Sequence, residues 1–371
     1  PELVTELGLT EVLGMDNRQL TDISDEYIRE TQALQRDTLT ALRSFDRESL
    51  TADQQLTYDI YDWYLSDLVE GQDFMYYNYP VTHFIISVPA QVLAFFSDIH
   101  PIRNQQEAED YLVRLAQVET KFDQLMAGLA LREEAGVLLP RFLYPWVLYD
   151  LRQIAASSPR ETPYYTAYAE KLAALDGLAA AEEERLLVHA EQEIGAVVLP
   201  AYRGLVAFLE DQSTRATDEH GVWKFPQGDA YYQYILRHHT STNLTADEIH
   251  QIGLAELDRI HFEMRERFAE LGYPDNESLS ALFERVANDG GSLSGNDVIA
   301  GYERIIQDAD QAMDSVFDLR PEADVIVIGG PTGGYYVGPA VDGSRPGAFY
   351  ASVGSLQPTY NMASLAYHEA I

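Results

Sequence analysis

The sequence ends with two neighbouring side chains that could carry out hydrolytic chemistry. His368 is followed at once by Glu369 in a stretch of good helix formers, residues 361–371. Many zinc hydrolases present their first metal ligand and their general base in this way, because successive residues of a helix point about 100° apart. The familiar motif H-E-x-x-H places its second His one turn later, which here is the position directly after Ile371. His368 and Glu369 therefore make up half of this motif.

A catalytic zinc ion needs three protein ligands and one open position for water. The metal lowers the pKa of that water to about 7, and a nearby carboxylate accepts its proton as the attack begins. His368 is the candidate ligand and Glu369 the candidate base. The alternative interpretation is a solvated helix turn, which is the commoner setting of an isolated His-Glu pair.

Three strand-like segments precede this helix and are separated by turns rich in Gly and Pro. They are residues 325–328, 335–337 and 349–353. In helical zinc peptidases, a strand beside the site helix offers its edge to an extended peptide, which adds as a further strand. The order of strands followed by a His-Glu helix is the order that such a site requires.

Aromatic and basic residues in these segments are candidates for substrate binding. Tyr335, Tyr336 and Tyr350 could line a cleft or donate to an oxyanion, although packing of their rings on the strands is the alternative. Arg345 precedes Pro346 and either anchors a turn or contacts a substrate carboxylate. Their spacing alone does not separate these roles.

Other His and Gly residues offer weaker candidates. His238 and His239 form a doublet at a predicted helix end, where interaction with the helix dipole is favoured over metal ligation. His250 and His261 lie on a long predicted helix and are interpreted as surface or core-edge groups. The Gly pairs at 329–330 and 333–334 do not form a phosphate loop, because no Lys follows at the required spacing.

The rest of the chain predicts a mainly α-helical protein. Capping-box patterns at Thr51 and Thr245, and a similar pattern at Asn104, mark the starts of helices. The helix after Asn104 is expected to be a single long one that buries an apolar stripe, formed by Leu112, Leu115, Val118, Phe122, Leu125 and Leu129. The helix after Thr51 is expected to bury one apolar stripe, formed by Leu56, Ile60, Trp63, Tyr64 and Leu68. A coil over residues 211–229 is the best candidate boundary. We therefore predict a helical region at residues 1–225 and the first part of a catalytic region at residues 226–371, packed as one continuous unit.

Composition excludes several classes of protein. The net charge of −35 comes from 60 acidic and 25 basic residues, which argues against binding to nucleic acid or to an anionic membrane surface. Cys is absent, so disulfides and thiol catalysis are excluded. No apolar run reaches the length of about 18 residues that a spanning helix needs. The oligomeric state is left open.

The C-terminal motifs resemble those of a known bacterial family. The segments 334–336, 342–350 and 365–371 carry the resemblance, and they read Gly-Tyr-Tyr, Asp-Gly-Ser-Arg-Pro-Gly-Ala-Phe-Tyr and Leu-Ala-Tyr-His-Glu-Ala-Ile. Residues 232–259 and 111–115 are also similar. The family is called domain of unknown function 885 and is grouped with the zincin-like metallopeptidases. The resemblance extends over most of the chain.

The resemblance implies a mainly α-helical, zincin-like fold with a small β-sheet just before the His-Glu helix. It implies a zinc peptidase in which His368 is a metal ligand and Glu369 is the base. In the family, the motif continues with Pro-Gly-His-His, and a further helical half is expected to supply the other ligands. We therefore expect Zn²⁺ in the intact protein, but neither bound metal nor activity in these 371 residues.

Two further expectations concern processing and location. The chain starts at Pro1 without an initiator Met, so we expect that an N-terminal segment was removed and that the C-terminus inside a site helix is a truncation. Together with the acidity and the family's usual setting, this start favours an exported protein (periplasmic, lipoprotein or extracellular) over a cytoplasmic one. The alternative functions are a helical binding or scaffold protein and a metallohydrolase of non-peptide amides.

Overall fold

The computed structural model describes residues 1–84 and 86–370, and the described chain is mainly helical. Its α-helices are α1 (Glu2–Glu6), α2 (Asp25–Arg43), α3 (Ala52–Gly71), α4 (Val88–Ala94), α5 (Gln105–Leu115), α6 (Val118–Glu134), α7 (Tyr144–Ala156), α8 (Pro163–Ala173), α9 (Ala180–Glu193), α10 (Leu199–Ser213), α11 (Gly228–Thr240), α12 (Ala246–Glu270), α13 (Leu279–Gly290), α14 (Asn296–Met313) and α15 (Met362–Glu369). The predicted helical class is confirmed, whereas α13 was not predicted from the sequence.

Two small β-sheets lie in the last third of the chain. Their strands are β1 (Ser292–Leu293), β2 (Val325–Gly330), β3 (Tyr335–Val337), β4 (Gly347–Ser352) and β5 (Gln357–Pro358). β1 pairs with β5, while the larger sheet has the order β2-β4-β3, with β2 parallel and β3 antiparallel to β4. The three predicted strands and the helix that follows them are therefore confirmed, and the β1–β5 pair is an addition.

The chain divides into two compact units. The first contains residues 1–5 and 14–246, and the second contains residues 6–13 and the chain from residue 247 onward. The boundary that we predicted after residue 225 lies inside the first unit and stays a prediction. Within residues 1–84 and 86–370, none of the helices combines the length and the apolar character that crossing a membrane requires.

The core of the first unit is built around α5 and α6. Asn104 caps α5, because its side-chain oxygen accepts a hydrogen bond from the Glu107 N–H at 3.0 Å. The predicted apolar stripe is buried as expected and comprises Leu112, Leu115, Val118, Phe122, Leu125 and Leu129. The single long helix predicted here is interrupted at residues 116–117, so the stripe belongs to two helices.

Helix α3 has the predicted start but not the predicted orientation. The capping box between Thr51 and Gln54 is present. The expected inward stripe is wrong, because four of its five residues are exposed, namely Leu56, Ile60, Trp63 and Tyr64. Contacts with α2 and α11 set the buried side instead: Arg43 of α2 contacts Asp62, and Asp67 is buried against α11. Polar contacts to neighbouring helices thus lie on the covered side of α3.

A buried histidine lies in the aromatic core of the first unit. His100 is surrounded by the rings of Phe95, Phe96 and Tyr111, and its Nδ1 is 2.9 Å from the Pro101 carbonyl oxygen. Burial, with a smaller contribution from the Arg114 charge, lowers the pKa of His100 to about 3. The imidazole is therefore neutral in the folded protein at neutral pH.

We predict that His100 makes the first unit sensitive to acid. Between pH 6.5 and pH 3 the unfolded chain binds a proton at His100 and the folded chain does not, so the free energy of unfolding falls as the pH falls. The loss is about 1.4 kcal/mol for each unit of pH in this window. Urea unfolding at several pH values should show a smaller slope for His100→Phe than for the wild type. Equal slopes would contradict the prediction, and the same substitution at exposed His250 is the control.

Candidate active-site cleft

Helix α15, which carries the His-Glu pair, is fixed by contacts at its start and along one side. Before it, the Thr359 N–H donates to the Gly291 carbonyl oxygen at 3.1 Å and the Thr359 hydroxyl donates to the Gly290 carbonyl oxygen at 2.8 Å. Met362, Ala366 and Ala370 recur every four residues and are buried in the core of the second unit. These contacts determine which way the remaining side chains of α15 point.

This packing places His368 and Glu369 in different surroundings. Two residues after buried Ala366, His368 lies about 160° around the helix from it, and it is exposed. Glu369 lies about 60° from the buried side, is half-buried, and lines a cleft. Of the predicted pair, the carboxylate faces an enclosed space and the imidazole faces solvent.

The cleft has a volume of about 880 Å³ and is lined only by residues of the second unit. One wall is a single face of α14, where residues 303, 306, 307, 310 and 313 follow helical spacing. Strand β2, Tyr336 of β3 and Glu369 form other parts of the lining. The volume lies within the range of about 300–1,000 Å³ that is typical of small-molecule sites.

The cleft lining is strongly acidic. It includes four carboxylates, Glu303, Asp310, Asp324 and Glu369, and one guanidinium, Arg320. Arg320 forms ion pairs with Asp310 and Asp314, so its charge is partly neutralised by these partners. The electrostatic potential of the cleft therefore favours positively charged groups.

The three candidate tyrosines lie on two faces of the larger sheet. Tyr335 pairs with Tyr350 across β3 and β4, and their rings stack with centroids 4.6 Å apart. Tyr336 pairs with Phe349, whose ring packs against Tyr302 of α14. Because side chains alternate along a strand, Tyr336 shares the helix-covered face with Phe349, and Tyr335 and Tyr350 lie on the opposite face. Only Tyr336 lines the cleft together with Glu369.

A close approach at Gly347 positions Tyr336. A Cβ atom at residue 347 would clash with the Tyr336 hydroxyl oxygen, so the hydroxyl end of this side chain lies directly over the glycine backbone. Any larger side chain at this position would displace the ring. The Gly-Ala-Phe-Tyr stretch therefore supplies both the central strand and the space that Tyr336 occupies.

Arg345 is held in the loop before β4. One of its terminal nitrogens donates to the Glu6 carbonyl oxygen at 3.2 Å, and its own carbonyl oxygen accepts from the Ala340 N–H at 2.9 Å. Arg345 is half-buried and is absent from the cleft lining. These contacts correspond to the first of its two predicted roles, the anchoring of a turn.

The residues described here do not form a complete zinc site. Over residues 1–84 and 86–370, no three His, Cys, Asp or Glu side chains converge closely enough to hold a metal ion. A catalytic zinc ion requires three such ligands. His368 therefore does not belong to a group of three such ligands within the described part of the chain.

A histidine–carboxylate pair in the first unit was only partly foreseen. His238, near the end of α11, has its Nδ1 2.6 Å from Oδ2 of Asp67. Asp67 is buried on α3, and its Oδ1 makes no hydrogen bond within the described residues. We expected an interaction between His238 and the helix dipole, whereas the contact observed is with a carboxylate on another helix. Asp67 lies beside the apolar positions of α3 in the sequence, and this acidic residue was the signal that could have indicated a polar contact on the buried side of the helix.

The residues that surround Glu369 in the cleft were also missed. Glu303 and Asp310 are seven residues apart and share one face of α14 with apolar Ile306 and Met313. In the sequence this pattern indicates an amphipathic helix with acids at the edge of its apolar side. It does not indicate that the sheet and the end of α15 lie opposite that face.

Comparison with known proteins identifies the family. The family described as "Bacterial protein of unknown function (DUF885)" matches residues 1–371. The chain therefore belongs to this family, as the C-terminal motifs indicated. No curated protein matches the chain.

Two solved structures share the fold. One is described as a putative lipoprotein from Colwellia psychrerythraea; it has a TM-score of 0.91 and 21% sequence identity, and the match covers 100% of this chain and 67% of that one. The other is described as a putative lipoprotein of unknown function from Shewanella oneidensis, with a TM-score of 0.57, 12% identity, and coverage of 95% and 63%. The chain thus spans about two thirds of the length of each neighbour.

Proposed function

We propose that this chain is part of a zinc-dependent peptidase in which Glu369 is the general base and His368 is one metal ligand. The observation that carries the proposal is the position of Glu369 on the wall of the 880 Å³ cleft, beside strands β2 and β3. A half-buried carboxylate at the wall of a large cleft is suited to accept a proton from an attacking water molecule. The family resemblance of the surrounding motifs supports the same assignment and a zincin-like architecture.

The proposal assigns only one ligand and one base to these residues. Since no three ligand side chains converge in residues 1–84 and 86–370, the other ligands must come from outside the described chain. Both structural neighbours are longer than this chain, which leaves room for such residues.

Peptides are the proposed substrate class. In the larger sheet β2 and β3 are the outer strands, and each contributes to the cleft lining. An extended peptide could form main-chain hydrogen bonds with such an outer strand. Because four carboxylates and one paired guanidinium line the cleft, we propose a preference for peptides with a positive charge near the cleaved bond.

An exported location fits this proposal. Both structural neighbours are described as putative lipoproteins, in agreement with the location expected from the sequence. An exported peptidase would meet peptides outside the cytoplasm. A strongly acidic surface, with a net charge of −35, would keep such a protein soluble.

The decisive measurement is zinc content and activity of the product of the complete reading frame. We expect about one zinc ion per chain, turnover of a mixed peptide library, and loss of both in His368→Ala. Ser364→Ala, on the same helix, is the control and should retain both. Bound zinc with turnover of amides but not of peptides would support the non-peptide alternative. Absence of zinc and of turnover in the wild type would favour the binding or scaffold protein.

A further inference from the structure

Helix α12 carries an apolar stripe whose middle is left exposed by the described chain. Ile249, Leu257, Ile260, Met264 and Phe268 recur at helical spacing and therefore lie on one side of the helix. Leu257 is 48% exposed and Ile260 is 38% exposed, whereas Ile249 and Met264 are half-buried and Phe268 is buried. An amphipathic helix in a folded protein normally buries such a stripe against another element.

The accessible surface indicates how much covering is missing. The chain exposes 21753 Å², whereas a compact protein of 41.7 kDa exposes about 14,900 Å². Two separate compact bodies, with about 240 and 130 residues as in the two units, would together expose about 17,800 Å². The excess of about 4,000 Å² belongs to the chain as a whole, and it is as large as many obligate interfaces.

We propose that the α12 stripe is the docking face for an amphipathic helical segment of the same polypeptide, lying outside residues 1–371. The neighbour with a TM-score of 0.91 has about a third of its length without counterpart in this chain. In that neighbour the additional length belongs to the same chain as the matching fold. A segment of this kind would supply the apolar face that the exposed middle of the α12 stripe lacks.

A second copy of this chain is a poorer occupant. Each copy carries a net charge of −35, so self-association has to overcome electrostatic repulsion. Exposed Glu256 and Glu263 lie beside the stripe, between Ile252 and Ile260 around the helix. Two such faces packed together would place these carboxylates near one another. The docking segment is therefore assigned to the same chain and is expected to present neutral or basic residues opposite them.

The absence of Cys allows a direct test by chemical labelling. Single Cys residues are introduced in the product of the complete reading frame, with any Cys beyond residue 371 replaced by Ser. Leu257→Cys lies on the stripe, and Gln251→Cys lies on the opposite, exposed side of the same helix. We expect a maleimide probe to label Leu257→Cys at least tenfold more slowly than Gln251→Cys under native conditions. After denaturation in urea, the two rates should agree.

Equal native labelling rates would overturn the proposal, because the stripe would then be open to solvent. A reading frame without further helical sequence would overturn it too. Protection of Leu257→Cys that disappears on dilution would assign the face to a second copy and would also overturn it. The labelling does not depend on zinc or on turnover, so its result is distinct from the outcome for the proposed peptidase.

Discussion

Glu369→Gln is expected to lower kcat for peptide hydrolysis by about 10²–10⁴-fold in the product of the complete reading frame. The amide keeps the size and hydrogen-bonding capacity of the side chain but does not accept a proton at neutral pH. Since Glu369 lines the cleft and the proposed ligand His368 lies about 100° away around α15 and is left in place, zinc content should be unchanged. The measurements are steady-state kinetics on a peptide substrate and metal analysis of the same samples.

A matched control is available within the same cleft. Glu303→Gln removes one negative charge from the lining but leaves the proposed base in place. If the carboxylate at 369 acts by proton transfer, Glu303→Gln should alter KM for basic peptides more than kcat. Equal losses of kcat in both variants would show that the charge of the cleft matters and that Glu369 has no specific role. Full activity of Glu369→Gln would remove it from the mechanism.

Local signals in the sequence were sufficient to predict the strands and the helix that position Glu369. The apolar run that becomes β2, the Tyr-rich run of β3 and the stretch containing Phe349 all form strands, and α15 follows them. These segments are short, and their turns are marked by Gly and Pro, so each could be recognised from its own residues. The order of strands and helix was therefore predictable.

The orientation of individual side chains was not predictable by the same reasoning. Strand alternation separates Tyr336 from Tyr335 and Tyr350, but the sequence does not state which face of the sheet is covered by α14. On α3, the most apolar side was expected to be buried, yet Trp63 and Tyr64 are exposed. Periodicity shows that a helix has two sides, whereas the partner that covers one of them is set by long-range contacts.

The dependence on long-range contacts also explains why the acidic residues of the cleft and the contact of Asp67 with His238 were not predicted. The acids on α14 and the end of α15 are separated by more than 50 residues and are brought together by the sheet between them. Asp67 and His238 are 171 positions apart. No local pattern links such pairs, and polar residues that meet across elements become visible only once the elements are packed.

Side chains of α5, of α6 and of the turn between them make a group of long-range contacts with an extended segment near the N-terminus. Four polar residues spaced three or four apart, Arg114, Gln117, Lys121 and Gln124, hydrogen-bond to main-chain atoms of residues 18–23. Their spacing places them on one side of the two helices. Because they contact the main chain, they satisfy polar groups that have no partners from regular secondary structure.

Arg114 is the most buried member of this set. Its Nε donates to the Gln19 carbonyl oxygen at 3.0 Å, one terminal nitrogen donates to the Thr5 hydroxyl at 2.8 Å, and the guanidinium lies over the Phe95 ring at 5.0 Å. Burial lowers the pKa of Arg114 to about 10, so the group remains charged at neutral pH. Its side chain thus connects the N-terminal segment to the aromatic core of the first unit.

Arg114→Met should therefore destabilise the first unit by about 3 kcal/mol or more, because the buried Thr5 hydroxyl and the part-buried Gln19 carbonyl oxygen lose their charged donor. For a unit of this size the loss corresponds to a Tm lower by roughly 6–12 °C, measurable by calorimetry. Limited proteolysis should also cut within residues 5–19 faster than in the wild type. Exposed Arg185, which forms ion pairs with Glu109 and Glu182, is the control, and Arg185→Met should leave Tm nearly unchanged. If the two variants unfold at the same temperature, the main-chain contacts of Arg114 do not secure this segment.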